Sequence, residues 1–264
     1  MDTPATPEPR PALTGRRALR PVGFTDPFRW LVRGAVDLRA APVTSAFYGL
    51  CFWLMAWLLG AIFLRAPEYT LSFISGCFLV GPFLAMGLYE VSRRHEAGLP
   101  QDLEASLACW MGHVRSMGLL ILVMLLLELL WGRASLVVFA IFFNTGMPTT
   151  ASVLDAVFNP KNWEFVAAYL AVGGVFAGLV FASCALSIPM ILDRDTDAIS
   201  AAIGSFQAVT ERPLALFTWG ALILALVLAA FALPWALGLL LVGPWLGHAT
   251  WHAYRGCFDW VAPD

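Results

Sequence analysis

The sequence predicts an all-α membrane protein whose chain crosses the bilayer six times. Hydrophobic residues make up 59% of the 264 residues and charged residues only 13%, whereas soluble domains average about 45–50% and about 25%. Apolar runs of about 20 residues, the length needed to cross about 30 Å of hydrocarbon, recur along the chain. These two observations exclude an ordinary soluble domain, and the net charge of -2 adds little to them.

Five of the apolar runs are clear candidates for spans, and they cover residues 45–64, 70–91, 163–190, 214–232 and 235–254. A sixth run begins near Ser116 and is interrupted by Glu128 and Arg133. If this helix continued to Phe143, it would be about 42 Å long, more than one upright span needs. Either the helix is strongly tilted, or it covers about 116–133 and ends near Trp131. We favour the second interpretation, in which residues 134–143 lie at the outer surface.

Positively charged residues predict the orientation. Most arginines lie before the first span, after the second and fourth spans, or after the last, whereas Arg65 and Lys161 lie on the opposite side. Because Lys and Arg concentrate in cytoplasmic loops, both termini are predicted to be cytoplasmic. The chain is therefore predicted to be a multi-pass membrane protein, and the lipid bilayer is an expected partner.

The parts of the chain outside the spans divide into three. Residues 1–23 are rich in Pro and Arg and lack an apolar segment, which predicts a disordered arm and not a secretory signal. Residues 24–258 form a single membrane domain, and residues 259–264 form a tail. Asp26 and Pro27 begin a short amphipathic helix. This helix either lies on the inner membrane surface or packs under the bundle.

A sequence repeat predicts three helical hairpins. LVGPFLAMGLYEVSRR at 79–94 resembles LVGPWLGHATWHAYRG at 241–256, and LSIPMILDRDTD at 186–197 is a looser copy. Each copy carries a proline near the inner end of its helix: Pro82, Pro189 and Pro244. A proline removes a backbone hydrogen bond and clashes with the carbonyl four residues earlier. We therefore expect these three kinks to face protein or trapped water, because lipid offers no new hydrogen-bond partner.

Alignment of the copies also predicts a polar cluster. Five ionisable residues occupy successive turns after the prolines, namely Glu90, Asp193, Asp197, His248 and His252. If the even-numbered spans converge, these residues meet at the cytoplasmic mouth of the bundle. Ionisable groups at such a depth often mark ion or proton pathways. The alternative is that they are polar groups at the points where helices leave the membrane.

The two histidines raise the question of a metal. His248 and His252 are four residues apart, on one face of a helix, and are the candidates with ligand-like spacing. Carboxylates and imidazoles bind Zn, Mn or Fe, so a metal or haem is an alternative. No haem-attachment motif, HExxH motif or glycine-rich phosphate loop is present. We therefore predict no cofactor.

Two segments that follow even-numbered spans predict short amphipathic cytoplasmic helices. They are GLPQDLEASLACWMGHVRS at 98–116 and DTDAISAAIGSFQAVTERP at 195–213. In the second, helical spacing gathers an apolar stripe made of Ala198, Ile199, Ala202, Ile203, Phe206 and Val209. These helices are expected to lie under the bundle, and the sharper alternative is a lid over the polar cluster.

Three motifs carry a resemblance to a known family. YEVSRRHEAG, IPMILDRDTDAISA and LGHATWHAYR resemble the signatures of bacterial membrane proteins catalogued as domain of unknown function 2189, over about 24–258. The resemblance implies a six-helix protein of the bacterial inner membrane and brings no activity with it. Some members are similar to subunit I of cytochrome c oxidase. That subunit has many more helices and several haem and copper histidines, so we carry over no oxidase activity.

Three hypotheses about function follow. The first is a non-enzymatic inner-membrane protein that binds or passes a small solute, ion or lipid through the polar cluster. The second is an accessory or assembly subunit of a membrane complex, such as a respiratory one, with a membrane-protein partner. The third is a metal- or haem-binding protein. No catalytic residue is predicted, because Ser187 and Ser205 belong to no recognisable triad motif, and no nucleic acid is an expected partner.

Overall fold

The computed structural model describes residues 16–66, 69–143 and 159–261. Within these ranges the chain forms ten α-helices and one pair of short strands. The helices are α1 (Asp26–Ala40), α2 (Pro42–Arg65), α3 (Thr70–Glu96), α4 (Leu103–Ala108), α5 (Val114–Phe142), α6 (Trp163–Cys184), α7 (Ser187–Arg194), α8 (Ala198–Glu211), α9 (Pro213–Ala232) and α10 (Leu239–Cys257). The all-α class is therefore confirmed.

The two strands join the ends of the described chain. Strand β1 (Arg16–Leu19) pairs antiparallel with β2 (Phe258–Val261), and Leu19 lies opposite Phe258. These strands occupy part of the predicted arm and part of the predicted tail. Residues 1–15 and 262–264, where the rest of those two predictions falls, lie outside the described residues.

Among the described residues, five stretches are long and apolar enough to cross a membrane, namely Pro42–Arg65, Phe73–Glu96, Leu103–Phe142, Pro160–Arg194 and Pro213–Ala232. Their outer faces expose large apolar side chains, such as Leu50 on α2 and Leu224 on α9. In water such faces would be unfavourable, and in a bilayer they contact acyl chains. The prediction of a multi-pass membrane protein is confirmed. A sixth span over 235–254 stays a prediction, because α10 is not among the five stretches.

The helices alternate in direction between two ends of the bundle. The start of α2 and the last turns of α3 both contact α10, through Ser45 and Ser92 on either side of His248. α5 leaves from the same end, where His113 Nδ1 lies 3.1 Å from Asp195 Oδ1. We call this the α1 end, because α1 packs there, and we call the opposite side the far end.

Helix α5 corrects one prediction. It runs without interruption from Val114 to Phe142 over 29 residues, so the interpretation that it ends near Trp131 is wrong. The reason lies in Glu128, which is 5% exposed and accepts a hydrogen bond from Ser75 Oγ of α3 at 3.0 Å. A carboxyl group with a partner on a neighbouring helix does not have to reach an interface.

All three repeat prolines are buried in protein. α3 and α10 continue through Pro82 and Pro244, whereas the fourth predicted span, 163–190, divides into α6 and α7 just before Pro189. The carbonyl of Leu240, which Pro244 leaves without its helical donor, faces Gly49 of α2 so closely that a Cβ atom there would overlap its oxygen. This kink therefore packs against a helix and not against lipid.

The third predicted hairpin reaches only part of the way along α2. Trp53, near the middle of α2, donates its indole N–H to the carbonyl of Trp235 at 3.0 Å. Trp235 belongs to the turn between α9 and α10, where both Trp235 and Ala236 have positive φ angles, 54° and 56°. The turn that starts α10 therefore lies beside the middle of α2.

Helix α1 packs against α10, which decides between the two predicted positions for it. A Cβ atom at Gly34 would lie 2.6 Å from the backbone nitrogen of Ala249. The opposite side of α1 is apolar and exposed, with Val32 at 65%. The helix is therefore amphipathic as predicted, and its buried side contacts the bundle.

Only part of the apolar stripe predicted for α8 is buried. Ala198 and Val209 are buried, but Ile199, Ile203 and Phe206 are exposed at 62%, 50% and 48%. The buried side instead gathers small residues, including Ala201, Gly204 and Ser205. The apolar stripe read from the sequence therefore does not coincide with the buried side of α8, because small side chains allow a helix to pack closely against its neighbours.

Candidate functional site

A buried carboxylate, Asp37 of α1, lies where the last turns of α3 and α10 meet α1. His95 Nδ1 lies 2.6 Å from its Oδ1, and His252 Nε2 lies 2.8 Å from its Oδ2. Asp37 is 3% exposed. Each carboxylate oxygen therefore accepts a hydrogen bond from one imidazole N–H.

A second histidine contact extends this arrangement into the bundle. His248 is fully buried, and its Nδ1 and Nε2 lie 2.8 Å and 2.9 Å from the hydroxyl oxygens of Ser92 and Ser45. Ser92 also lies beside Asp37, and its hydroxyl group acts to lower the pKa of that carboxyl group. A neutral imidazole has one donor and one acceptor nitrogen, and a hydroxyl can take either role, so both tautomers of His248 are satisfied.

We call these six residues the histidine network: Asp37, Ser45, Ser92, His95, His248 and His252. It leads from the protein surface to its interior. The side chain of His95 is 38% exposed, that of His252 is 12% exposed and that of Asp37 is 4% exposed. Two sets of hydrogen bonds, one at Asp37 and one at His248, thus lie side by side between a solvent-accessible imidazole and a buried one.

The charge of Asp37 follows from its partners. Burial acts to raise the pKa of its carboxyl group, but hydrogen bonds from His252, Ser92 and His95 outweigh that effect. The pKa of Asp37 therefore lies below its ordinary value of 3.8. At neutral pH the network contains a buried anion between two imidazoles.

Glycines bring the backbones close enough for this geometry. Gly34 of α1 lies against Ala249, and a Cβ atom at Gly256 of α10 would lie 2.7 Å from Trp30 Nε1 of α1. Trp30, Gly34 and Asp37 share the buried side of α1, as helical spacing requires. Close contact between α1 and α10 therefore places Asp37 within hydrogen-bond distance of His252.

The five residues of the predicted polar cluster divide among four environments. His248 and His252 belong to the histidine network. Glu90 forms a two-point ion pair with Arg93, whose Nε and Nη2 lie 2.7 Å and 3.0 Å from its carboxyl oxygens. The structure brings these residues to one end of the bundle, but it does not join them into a single site.

Asp193 and Asp197 lie nearby with other partners. Asp193 accepts a hydrogen bond from the hydroxyl group of Tyr254 at 2.7 Å and pairs with Arg194 at 3.1 Å. Asp197 is exposed, and its Oδ1 accepts a hydrogen bond from the backbone N–H of Ser200 at 2.9 Å. Asp197 therefore caps α8, and this bond lowers the pKa of its carboxyl group.

Sequence reasoning missed Asp37, His95, Ser92 and Ser45. A signal was available for Asp37, because an acidic residue on the same helical side as Trp30 and Gly34 has to be buried with them. None was available for the serines, since a serine in an apolar helix more often bonds to its own backbone. In the described parts of the chain, no group of three or more His, Cys, Asp or Glu side chains is arranged to hold a metal ion.

Comparisons with known proteins give one match. Residues 69–193 match the model of a family described as predicted integral membrane protein (DUF2189). The matched region begins just before α3, ends in α7 and contains Ser92 and His95 of the histidine network. It is shorter than the range 24–258 over which the resemblance was expected. No curated protein and no solved structure matches the chain.

Proposed function

We propose that this chain, whose residues 69–193 match the model of a family described as predicted integral membrane protein (DUF2189), binds and releases protons through the histidine network. The protein would be non-enzymatic. The small ion of our first functional hypothesis is then the proton, and the site is the network at the α1 end.

One observation carries the proposal: His95 and His252 share a single buried carboxylate and lie 2.6 Å and 2.8 Å from its two oxygens. Histidine is the side chain whose ordinary titration falls between pH 5 and 8. A proton gained by either imidazole would be balanced by the Asp37 carboxylate. Burial of this set without a charge partner would be costly, so the shared anion supports a proton-binding role.

The serines extend the path of a proton. A proton on His95 reaches Asp37 through one hydrogen bond, and Ser92, which lies beside Asp37, is hydrogen-bonded to His248. Each hydroxyl can donate one hydrogen bond while it accepts another. His248, between Ser92 and Ser45, is then the inner end of a relay that begins at the accessible His95.

We also propose that the α1 end faces the cytoplasm of a bacterium, with the chain in the inner membrane and both termini inside. Arg29, Arg93 and Arg255 lie at this end, and Arg65 ends α2 at the far end. This distribution agrees with the positive-inside rule. α10 would complete six spans in three hairpins, with its first half in the membrane and its second half against α1.

The chain suits a direct test because it contains only four histidines. Nuclear magnetic resonance of protein with labelled histidine in lipid nanodiscs would follow each ring through a pH titration. In the Asp37→Asn variant we expect the titration curves of both the His95 ring and the His252 ring to differ from those of the wild type, because the anion that the two rings share is removed.

His113→Gln is the matched control. His113 lies at the same end and contacts Asp195, but it is outside the network. This variant should lose one histidine signal and leave the titration of the other three unchanged. If Asp37→Asn leaves the titration of His95 and His252 as it is in the wild type, the network does not bind protons as a unit and the proposal fails.

A further inference from the structure

Glu128 is a second ionisable group inside the protein, and the histidine network does not include it. It is the middle residue of α5, a 29-residue helix, and it is 5% exposed. α5 belongs to one of the stretches that can cross the membrane. Glu128 therefore lies deep in the part of the chain where ionisable residues are rare and mark functional sites.

The two oxygens of this carboxyl group differ. Oε2 accepts a hydrogen bond from Ser75 Oγ of α3 at 3.0 Å. Oε1 is buried and has no hydrogen-bond partner in the described parts of the chain. A buried acceptor without a donor is unfavourable, and this one is nine-tenths enclosed, so it points to an occupant that the protein itself does not supply.

Nothing charged in the described surroundings balances the group. Arg133 is five positions further along α5, about 140° around the helix, and it is exposed. α3 carries no charged residue between Thr70 and Tyr89, and α6 carries none between Phe165 and Cys184. The titratable groups on the neighbouring stretches are Cys77 of α3 and Tyr169 of α6, both neutral in their ordinary forms.

We propose that Glu128 is a proton-binding site within the membrane, in which Oε1 takes the proton and Ser75 positions the carboxyl group through Oε2. Burial of an unpaired carboxylate costs far more than burial of a neutral carboxyl group, and a proton removes that charge. The site goes beyond the proposed function, because it shares no residue with the histidine network and can succeed or fail independently of it.

Infrared difference spectroscopy between acidic and alkaline pH, on protein in lipid nanodiscs, tests the site directly. The exposed carboxyl groups of the chain give a broad carbonyl-stretch signal at acidic pH, and we expect Glu128, in its apolar surroundings, to add a separate band at higher frequency. Glu128→Gln should abolish this band. Glu164→Gln, the same change at an exposed glutamate at the start of α6, should leave it in place.

Ser75→Ala keeps the test valid even if Glu128→Gln does not fold. Loss of the hydrogen bond at Oε2 should shift the band to higher frequency and leave its intensity unchanged. A band that persists in Glu128→Gln would overturn the proposal. A band that is equally strong at both pH values would also overturn it, because Glu128 would then be a permanently neutral structural group. So would a band that sodium ions remove, because the occupant would then be a metal cation.

Discussion

Replacement of Gly49 by alanine tests how the kink at Pro244 is accommodated. Gly49 of α2 lies against the carbonyl of Leu240, and a Cβ atom there would overlap the oxygen and lie 3.0 Å from the carbonyl carbon. The obstacle is backbone and not a flexible side chain. To restore an ordinary carbon–carbon separation, α2 and α10 would have to move apart by roughly 1 Å.

Two opposing effects set the magnitude. Alanine is favoured over glycine inside a helix by about 0.5–1 kcal/mol. Forcing an extra methyl group into a packed contact costs about 1–3 kcal/mol. At Gly60, on the same helix, an added Cβ atom would have no neighbour within 4 Å, so Gly60→Ala gains the first effect without the second. The difference between the two variants is therefore the packing term, about 1–3 kcal/mol.

The assay is thermal unfolding in mild detergent, followed by tryptophan fluorescence from the 11 tryptophans of the chain. A difference of 1 kcal/mol corresponds to a shift of about 2–4 °C in Tm for a chain near this size. We expect Gly49→Ala to unfold below the wild type and Gly60→Ala at or above it. Equal unfolding temperatures for the two variants would refute the reasoning, because α2 would then not contact the kink.

Three further predictions use the same assay. Because the folded pKa of Asp37 is lowered, the stability that its carboxylate contributes is lost as pH falls below the ordinary value of 3.8 and through the folded value, so the gap in Tm between wild type and Asp37→Asn should narrow below about pH 4; a gap that widens there contradicts this. Asp197→Ala removes the cap on the Ser200 N–H and should cost about 1 kcal/mol, whereas Asp197→Asn, which can still accept that bond, should cost less. Ala236→Gly should raise Tm, since a left-handed alanine costs about 1–2 kcal/mol, and an unchanged or lower value would show that the turn carries no strain.

The sequence predicted the class of the fold well, because class depends on composition and on the length of apolar runs. It predicted the side-chain partners poorly. Helical spacing placed His248 and His252 on one face, but it could not show that the carboxylate between His252 and His95 comes from α1, 215 positions away from His252. A partner at that distance along the chain depends on how the helices pack.

Helix α5 also shows that a contact between two helices cannot be predicted from one segment of the sequence. Its apolar run was visible, yet its end was misplaced, because Glu128 was treated as a residue that needs an interface. Because Glu128 accepts a hydrogen bond from Ser75, it does not have to reach an interface. The sequence of neither segment alone predicts this bond. In α8 the apolar stripe was visible, but periodicity alone could not show that Ile199, Ile203 and Phe206 are exposed while small residues such as Ala201 and Gly204 are buried.

The pairing of β1 with β2 has a consequence for how the molecule is made. The first described residues are held by the last ones, with Leu19 opposite Phe258, and Asp37 meets His252 only when α10 is present. During synthesis β1 therefore has no partner strand until α10 and β2 have left the ribosome. A product cut short before α10 would still lack two of the three histidines of the network, so only a chain that includes α10 can assemble the site.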